Sequence, residues 1–155
     1  MIPGLEVYGH EVDQCEGCTR FVSDGEEFNF DDIVIRCIHT PGHTQGHICY
    51  YLTTGDQKVV FTGDILFNGG AGRFFEGNAQ DVYGGFQKLV ALPQDTAVYC
   101  GHEYTLSNYR FALSIDGDNL DLVEVNINYF MCLLQFFRAE CLICVSRLTT
   151  RPLVV

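Results

Sequence analysis

Positive charge is scarce in this sequence. Nine of its 155 residues are lysine or arginine, against 20 aspartates and glutamates, so the formal net charge at pH 7 is −11. Such a field repels phosphate backbones and anionic lipid headgroups, which argues against nucleic acid or a membrane as a partner. An anionic small molecule would have to be attracted locally, by a bound metal ion or by a single arginine such as Arg73.

Long apolar runs are also missing. The apolar stretch over residues 129–137 is followed by Arg138 and Glu140, and it is far shorter than the ~20 residues that a transmembrane helix needs. No secretory leader pattern stands at the start of the sequence, and no internal repeat is visible. We therefore expect one domain in the cytosol, with the mitochondrion as the alternative location.

Disulfide bonds are not expected, although the sequence contains eight cysteines. Reduced thiols are favoured in a chain of this length without a secretory signal. Two Cys-x-x-Cys pairs, Cys15 with Cys18 and Cys141 with Cys144, lie too far apart in the sequence for a zinc site of the usual spacing. Three further cysteines fall in apolar strand-like runs, where cysteine acts as a small buried hydrophobe. These are Cys37, Cys49 and Cys100.

Short apolar runs predict an α/β fold. Five runs rich in β-branched and aromatic residues are bounded by glycine, aspartate or proline and predict strands. They are Leu5–Tyr8, Ile33–Ile38, Ile48–Leu52, Val59–Phe61 and Ala97–Cys100. Apolar residues at helical spacing predict a helix over residues 79–92, which Pro93 ends. The Gly84–Gly85 pair within that helix suggests close packing on the sheet.

Two further helices and a domain boundary are expected in the second half of the sequence. A helix should cover residues 106–115, and Asp118 or Asn119 should cap the next one. Residues 125–155 contain three arginines and one glutamate, unlike the acidic part before them. We expect a domain over residues 1–124 and an atypical apolar C-terminal tail over residues 125–155.

Three short segments place metal-ligand side chains where predicted strands end. Residues 40–47, 61–64 and 100–104 contain His43, Asp64 and His102. Neutral imidazole and carboxylate are ligands that a divalent metal such as zinc takes, and a strand-end position reduces the entropy that a ligand loses on binding. Gly63 and Gly101 leave room beside Asp64 and His102. The pattern predicts a metallohydrolase in which the three side chains converge on one cation-sized space as metal ligands and catalytic residues.

The neighbouring side chains have more ordinary interpretations. His10 and His39 are expected to be packed or surface residues, and His47 is expected to play a structural role rather than to bind a metal. Thr44 should hydrogen-bond the backbone of its own turn. A carboxylate such as Asp64 can bridge two metal ions.

The motifs resemble those of the hydroxyacylglutathione hydrolases, or glyoxalase II, of the metallo-β-lactamase superfamily. The resemblance covers roughly residues 5–120 and is carried by the segments 40–47, 61–67, 72–77 and 98–105. It implies a partial αββα sandwich, mainly its second half. It also implies two divalent ions, zinc with iron or manganese as alternatives. The implied reaction is hydrolysis of S-lactoylglutathione to glutathione and lactate in methylglyoxal detoxification.

The resemblance also implies roles for individual residues. His43 and His102 would each bind a different metal ion, and Asp64 would bridge the two. The residues that would line the glutathione site are Arg73, Phe74, Phe75, His102, Glu103 and Tyr104. Arg73 and Phe75 stand where the family has lysine and tyrosine, so a cation is kept and one phenol hydroxyl is lost.

Two departures from the family pattern lower the expected activity. Nothing in the sequence corresponds to the Thr-His-x-His-x-Asp-His segment, which provides most of the other metal ligands, and residues 125–155 do not resemble the family's basic C-terminal region. We therefore expect weak or no hydrolysis by this chain alone. The alternatives are a persulfide dioxygenase-like iron enzyme, a non-catalytic interaction module and a truncated product without function.

Overall fold

The computed structural model describes residues 4–126 and 146–147. Ten strands occur in these residues. They are β1 (Tyr8–Gly9), β2 (Arg20–Phe21), β3 (Glu27–Phe30), β4 (Ile33–His39), β5 (Ile48–Thr54), β6 (Gln57–Gly63), β7 (Leu66–Phe67), β8 (Gly70–Ala71), β9 (Ala97–Cys100) and β10 (Ser146–Arg147). Two helices have both ends described, α1 (Ala79–Val90) and α2 (Thr105–Ile115). The predicted α/β class is confirmed.

The centre of the fold is a six-stranded sheet in the order β10-β9-β6-β5-β4-β3. Strands β3 to β6 form an antiparallel meander, whereas β6 and β9 are parallel. The connection between these parallel strands contains α1, as a parallel pair requires a crossover. The carboxyl ends of β6 and β9 therefore meet at the same edge of the sheet.

Helix α1 covers one face of the sheet and forms the core with it. Buried side chains of the strands point alternately to this face, as the two-residue period of a strand requires. In the observed register Tyr51 pairs with Val60, and Val60 pairs with Val98, so the three form a row. The buried core residues are Ile38, Cys49, Tyr51, Val60, Ile65, Val82, Leu89, Leu92 and Val98.

Local signals explain the limits of α1. Asn78 accepts hydrogen bonds from the backbone N–H groups of Gln80 and Asp81, at 2.8 and 3.2 Å, and Asp81 accepts one from Asn78 N–H at 3.0 Å. This reciprocal capping satisfies amides that the first turn leaves free. The predicted end was two residues late, since α1 stops at Val90, ahead of Pro93.

The two neighbouring glycines of α1 have different surroundings. A Cβ on Gly85 would stand 3.2 Å from Thr40 Cβ, whereas a Cβ on Gly84 would meet nothing within 4 Å. The predicted close packing on the sheet is therefore confirmed for Gly85 and wrong for Gly84, because only Gly85 lies on the buried face of the helix.

The helices after β9 also follow their sequence signals. Helix α2 begins at Thr105, one residue before the predicted start. Residues 120–126 are helical, and Asn119 Oδ1 accepts the N–H of Leu122 at 3.2 Å. Asn119, one of the two predicted N-caps, is confirmed. No helix in the described ranges is long and apolar enough to cross a membrane.

The strand predictions differ from the structure in two ways. The run from Leu5 to Tyr8 contributes only Tyr8 to a strand, because Val7 N–H donates to the side-chain Oγ1 of Thr19, at 2.8 Å, rather than to a carbonyl of a partner strand. Five strands were not predicted, β2, β3, β7, β8 and β10, and none is longer than four residues. The predictions for the apolar stretch 129–137, for Cys141 and Cys144, and for most of the tail lie outside the described residues.

Candidate metal centre

Parallel pairing of β6 and β9 brings Asp64 and His102 together. In the register Gly63 pairs with Cys100, after an irregularity between Phe61 and Gly63. Gly101 N–H then donates to Gly63 O at 2.8 Å and extends the ladder past both strand ends. Asp64 and His102 therefore leave the sheet at the same edge, as their sequence positions predicted.

Two glycines allow the backbone to approach Asp64 closely. A Cβ on Gly101 would overlap Asp64 Oδ1 and would stand 3.0 Å from the carbonyl carbon of Gly63. A Cβ on Gly72 would overlap the backbone carbonyl oxygen of Asp64. Gly101 is therefore needed because a side chain at this position would collide with Asp64. Gly63 is needed for a different reason, since its φ of +50° is a backbone angle that other residues rarely adopt.

His43 lies in the loop between β4 and β5. Its loop is closed by hydrogen bonds from Thr40 N–H to His47 O, at 2.9 Å, and from Gly42 N–H to Thr44 O, at 3.0 Å. His43 Nδ1 lies 3.0 Å from Arg73 O. Because a carbonyl only accepts, Nδ1 carries the proton and Nε2 of the neutral ring is left as a lone-pair donor to a metal.

The Nε2 atoms of both imidazoles lie close to the same carboxylate oxygen. Nε2 of His102 lies 3.1 Å from Asp64 Oδ2, and Nε2 of His43 lies 3.5 Å from the same atom. Ligand atoms about 2.1 Å from a tetrahedral ion stand about 3.4 Å apart. Each histidine is therefore spaced from Asp64 as two ligands of one ion would be. The side chains of His43 and Asp64 are about one quarter exposed, so the site is open to solvent.

The three predicted side chains come together at Asp64, but not in the arrangement of a metal site. Within residues 4–126 and 146–147, no group of three or more histidine, cysteine, aspartate or glutamate side chains is arranged to hold a metal ion. Both Nε2 atoms approach one oxygen, Asp64 Oδ2, so the three side chains meet at that atom. The donor chemistry fits a divalent metal, but the arrangement is two histidine–aspartate pairs that share Asp64.

Aromatic rings surround the two histidines. His102 stacks on Tyr104 with ring centroids 5.3 Å apart, and its ring also lies 6.2 Å from that of Phe67. The edge of Phe75 meets His43 at 5.1 Å in a T-shaped contact. These contacts restrict the rotation of both rings and so fix the directions of their nitrogen atoms.

The predicted substrate-lining residues lie around this cluster. Arg73 Cζ stands 5.0 Å from the ring centre of Phe75, and Phe74, Phe75 and Tyr104 are 42%, 62% and 48% exposed. Glu103 is engaged elsewhere, because its Oε1 accepts the backbone N–H of Thr105 at 3.0 Å, at the start of α2.

The other histidines are placed as structural residues. His47 Nδ1 lies 2.9 Å from the buried Thr40 Oγ1, and burial lowers the pKa of His47. His10 and His39 stack with their ring centroids 4.6 Å apart. All three positions agree with their predicted roles.

Two acidic residues that sequence reasoning missed hold the His43 loop. Asp13 accepts hydrogen bonds from Thr44 Oγ1 and from Gly46 N–H, both at 2.6 Å. Glu76 Oε2 accepts the N–H of Gln45 at 2.8 Å. Thr44 does bond the backbone of its own turn, through its carbonyl oxygen and Gly42 N–H, but its side-chain hydroxyl donates to the carboxylate of Asp13 instead. No local pattern pointed to these partners, since each is 31 or more residues away in the sequence.

Known proteins with similar sequences match the part of the chain that contains this cluster. The profile of the metallo-beta-lactamase superfamily matches residues 10–102, which include all three proposed ligands. The hydroxyacylglutathione hydrolase of Brucella ovis is 52% identical over 123 residues, which are 78% of this chain and 47% of that protein. The chain thus spans about half the length of the curated relatives it matches.

Solved structures show the same fold. ETHE1 from Myxococcus xanthus is 39% identical with a TM-score of 0.54, over 63% of this chain and 42% of that chain. TTHA1623, in a di-iron-bound form, is 28% identical with a TM-score of 0.50, over 64% of this chain and 58% of that chain. The predicted fold class and the resemblance stated from the motifs are both confirmed.

Proposed function

Because the chain belongs to the metallo-β-lactamase superfamily, we propose that His43, Asp64 and His102 form part of a two-metal centre for thioester hydrolysis. The substrate class is a glutathione thioester, with S-lactoylglutathione hydrolysed to glutathione and lactate. The 52% identity to a hydroxyacylglutathione hydrolase supports this choice. Such an activity would belong to methylglyoxal detoxification, and we propose the cytosol as its location.

The observation that carries the proposal is the approach of two imidazole Nε2 atoms to Asp64 Oδ2, at 3.5 and 3.1 Å. In the proposed centre His43 would hold one ion, His102 would hold the other, and the carboxylate of Asp64 would serve both. The di-iron-bound form of TTHA1623 supports a pair of ions in this fold. Zinc is the proposed metal, with iron and manganese as alternatives that take the same ligands.

The residues around the centre suit a glutathione thioester. When bound, a divalent metal ion lowers the pKa of water and stabilises the negative charge that develops on an attacked carbonyl oxygen. The guanidinium group of Arg73, held over Phe75 beside His43, would pair with a glutathione carboxylate. The exposed rings of Phe74 and Tyr104 would cover the apolar parts of the substrate.

The proposal includes low activity for this chain alone. Two four-coordinate ions need more ligands than the three side chains that the described residues bring together. With only these three side chains as ligands, metal affinity would be reduced. The hydrolysis rate falls with the metal occupancy.

Metal binding tests the ligand set directly. Metal-free full-length chain is titrated with Zn²⁺ by calorimetry, and Asp64→Asn, His43→Gln and His102→Gln are compared with His10→Gln as the matched histidine control. We expect Asp64→Asn to weaken binding most, because both ions lose a ligand, and each histidine variant to lose about half of the bound metal. Equal affinities for Asp64→Asn and His10→Gln would rule out the proposed centre.

Hydrolysis tests the substrate class separately. We expect slow loss of S-lactoylglutathione that stops with a chelator and in Asp64→Ala. Metal binding with neither hydrolysis nor binding of S-lactoylglutathione would retain the centre and reject the substrate. Oxygen consumption by the iron-loaded chain with a persulfide would favour the persulfide dioxygenase-like alternative. Metal-independent dimerisation that survives His43→Ala would favour an interaction module.

A further inference from the structure

Two thiols outside the candidate metal centre converge on one point of the backbone. Cys15 is exposed, Cys18 is half-buried, and both are free thiols. A Cβ placed on Gly9 would stand 3.5 Å from Cys15 Sγ and 3.4 Å from Cys18 Sγ. The two sulfur atoms therefore lie against the same side of Gly9, and its missing side chain leaves space for both.

The backbone between the two cysteines already has the shape that a disulfide needs. Cys18 N–H donates to Cys15 O at 3.0 Å, and Gly17 has φ +81° at the third position of this four-residue turn. A turn of this kind holds its first and fourth Cα atoms within about 7 Å, and disulfides span Cα separations of about 4.4–6.8 Å. The turn is therefore compatible with a disulfide between the two cysteines.

The surroundings give the two thiols different roles. Cys18 Sγ is held by the backbone carbonyls of Val7, at 3.4 Å, and Arg20, at 3.3 Å. Cys15 is the more accessible of the two. Both line an open, shallow surface hollow. The hollow is lined by Glu11, Val12, Gln14, Cys15, Cys18 and Phe21.

We propose that Cys15 and Cys18 form a thiol–disulfide exchange site for small disulfides such as oxidised glutathione. The Cys15 thiolate attacks one sulfur of the small disulfide, forms a mixed disulfide and releases one thiol. The Cys18 thiolate then attacks Cys15 Sγ, breaks the mixed disulfide and releases the second thiol. The protein loses two hydrogens as its thiols are oxidised, and one small disulfide is reduced to two thiols. This inference is independent of the proposed hydrolase function.

Peptide mapping tests the exchange in the full-length chain. The native protein is equilibrated in mixtures of reduced and oxidised glutathione, alkylated, and cleaved with trypsin. Residues 1–20 form one tryptic peptide whose only cysteines are Cys15 and Cys18. We expect this peptide to lose two hydrogens and both alkylation sites as the oxidised fraction rises. Loss of only one alkylation site, or of neither, would overturn the proposal.

The chain provides its own matched control and a test of direction. Residues 89–110 form a tryptic peptide whose only cysteine is Cys100, and this thiol can form a mixed disulfide but no internal one. Cys18→Ser should accumulate glutathione on Cys15, whereas Cys15→Ser should leave Cys18 largely reduced. If Cys15→Ser were oxidised to the same extent as Cys18→Ser, the assignment of Cys15 as the first attacking thiol would be overturned. A dimer linked through Cys15 on a non-reducing gel would overturn the proposed disulfide between Cys15 and Cys18.

Discussion

Replacement of Asp13 by alanine should loosen the loop that carries His43. Asp13 accepts two short hydrogen bonds, from Thr44 Oγ1 and Gly46 N–H, both at 2.6 Å. A hydrogen bond to a charged group contributes about 1.5–3 kcal/mol. Because Asp13 is half-buried and water can replace part of each bond, we expect Asp13→Ala to lower the free energy of unfolding by about 2–3 kcal/mol.

Urea unfolding followed by circular dichroism measures this loss. Asp13→Asn keeps an acceptor for Gly46 N–H and removes the charge, so its free energy of unfolding should fall by about half as much. The control Asp56→Ala lies on an exposed turn and should change the free energy of unfolding by less than about 0.5 kcal/mol. Amide exchange at Gly46 should quicken in Asp13→Ala before global unfolding. A loss for Asp13→Ala no larger than that for Asp56→Ala, with unchanged exchange at Gly46, would refute the assigned role.

Three further substitutions have defined outcomes. Gly101→Ala should abolish metal binding because the added methyl group overlaps Asp64 Oδ1. In the control Gly84→Ala the added Cβ has open space around it. This variant should leave metal binding unchanged and stabilise the chain by up to about 1 kcal/mol. Asn78→Ala should lower the free energy of unfolding by about 1 kcal/mol, and a thermal melt matching the parent chain would contradict this. Burial lowers the pKa of His47, so the unfolded chain binds the proton more tightly. The free energy of unfolding should therefore fall as the pH drops below about 6.5. Its pH dependence should be shallower in His47→Gln. Identical pH dependence in the two proteins would exclude His47 as the cause of the loss.

Elements encoded by adjacent residues could be predicted from the sequence. Asn78 and Pro93 mark the ends of α1 through local hydrogen bonding and local sterics, so the predicted helix and the observed one differ by two residues. The meeting of Asp64 and His102 was predictable for a related reason. Each follows the end of an apolar strand, and β6 and β9 proved to be parallel neighbours.

Features that depend on distant partners could not be predicted. Asp13 is one of many acidic residues in the sequence, and only the folded chain brings it to Thr44. Strand β3 is mostly exposed and owes its conformation to pairing with β4, and its polar–apolar alternation covers only four residues, too short a signal to predict a strand. The sharing of Asp64 Oδ2 by two imidazoles is likewise a matter of side-chain direction, which strand-end positions alone do not determine.

The sheet face opposite α1 has a consequence for how the chain behaves in solution. Phe61 and Tyr99 stack there with ring centroids 5.3 Å apart, and Phe61 is 44% exposed. Exposed aromatic surface promotes self-association, and mutual repulsion between highly charged molecules opposes it. That repulsion vanishes near the isoelectric point of about 4.6. The protein should therefore aggregate in mildly acidic buffer, and the first contacts between molecules should involve these two rings.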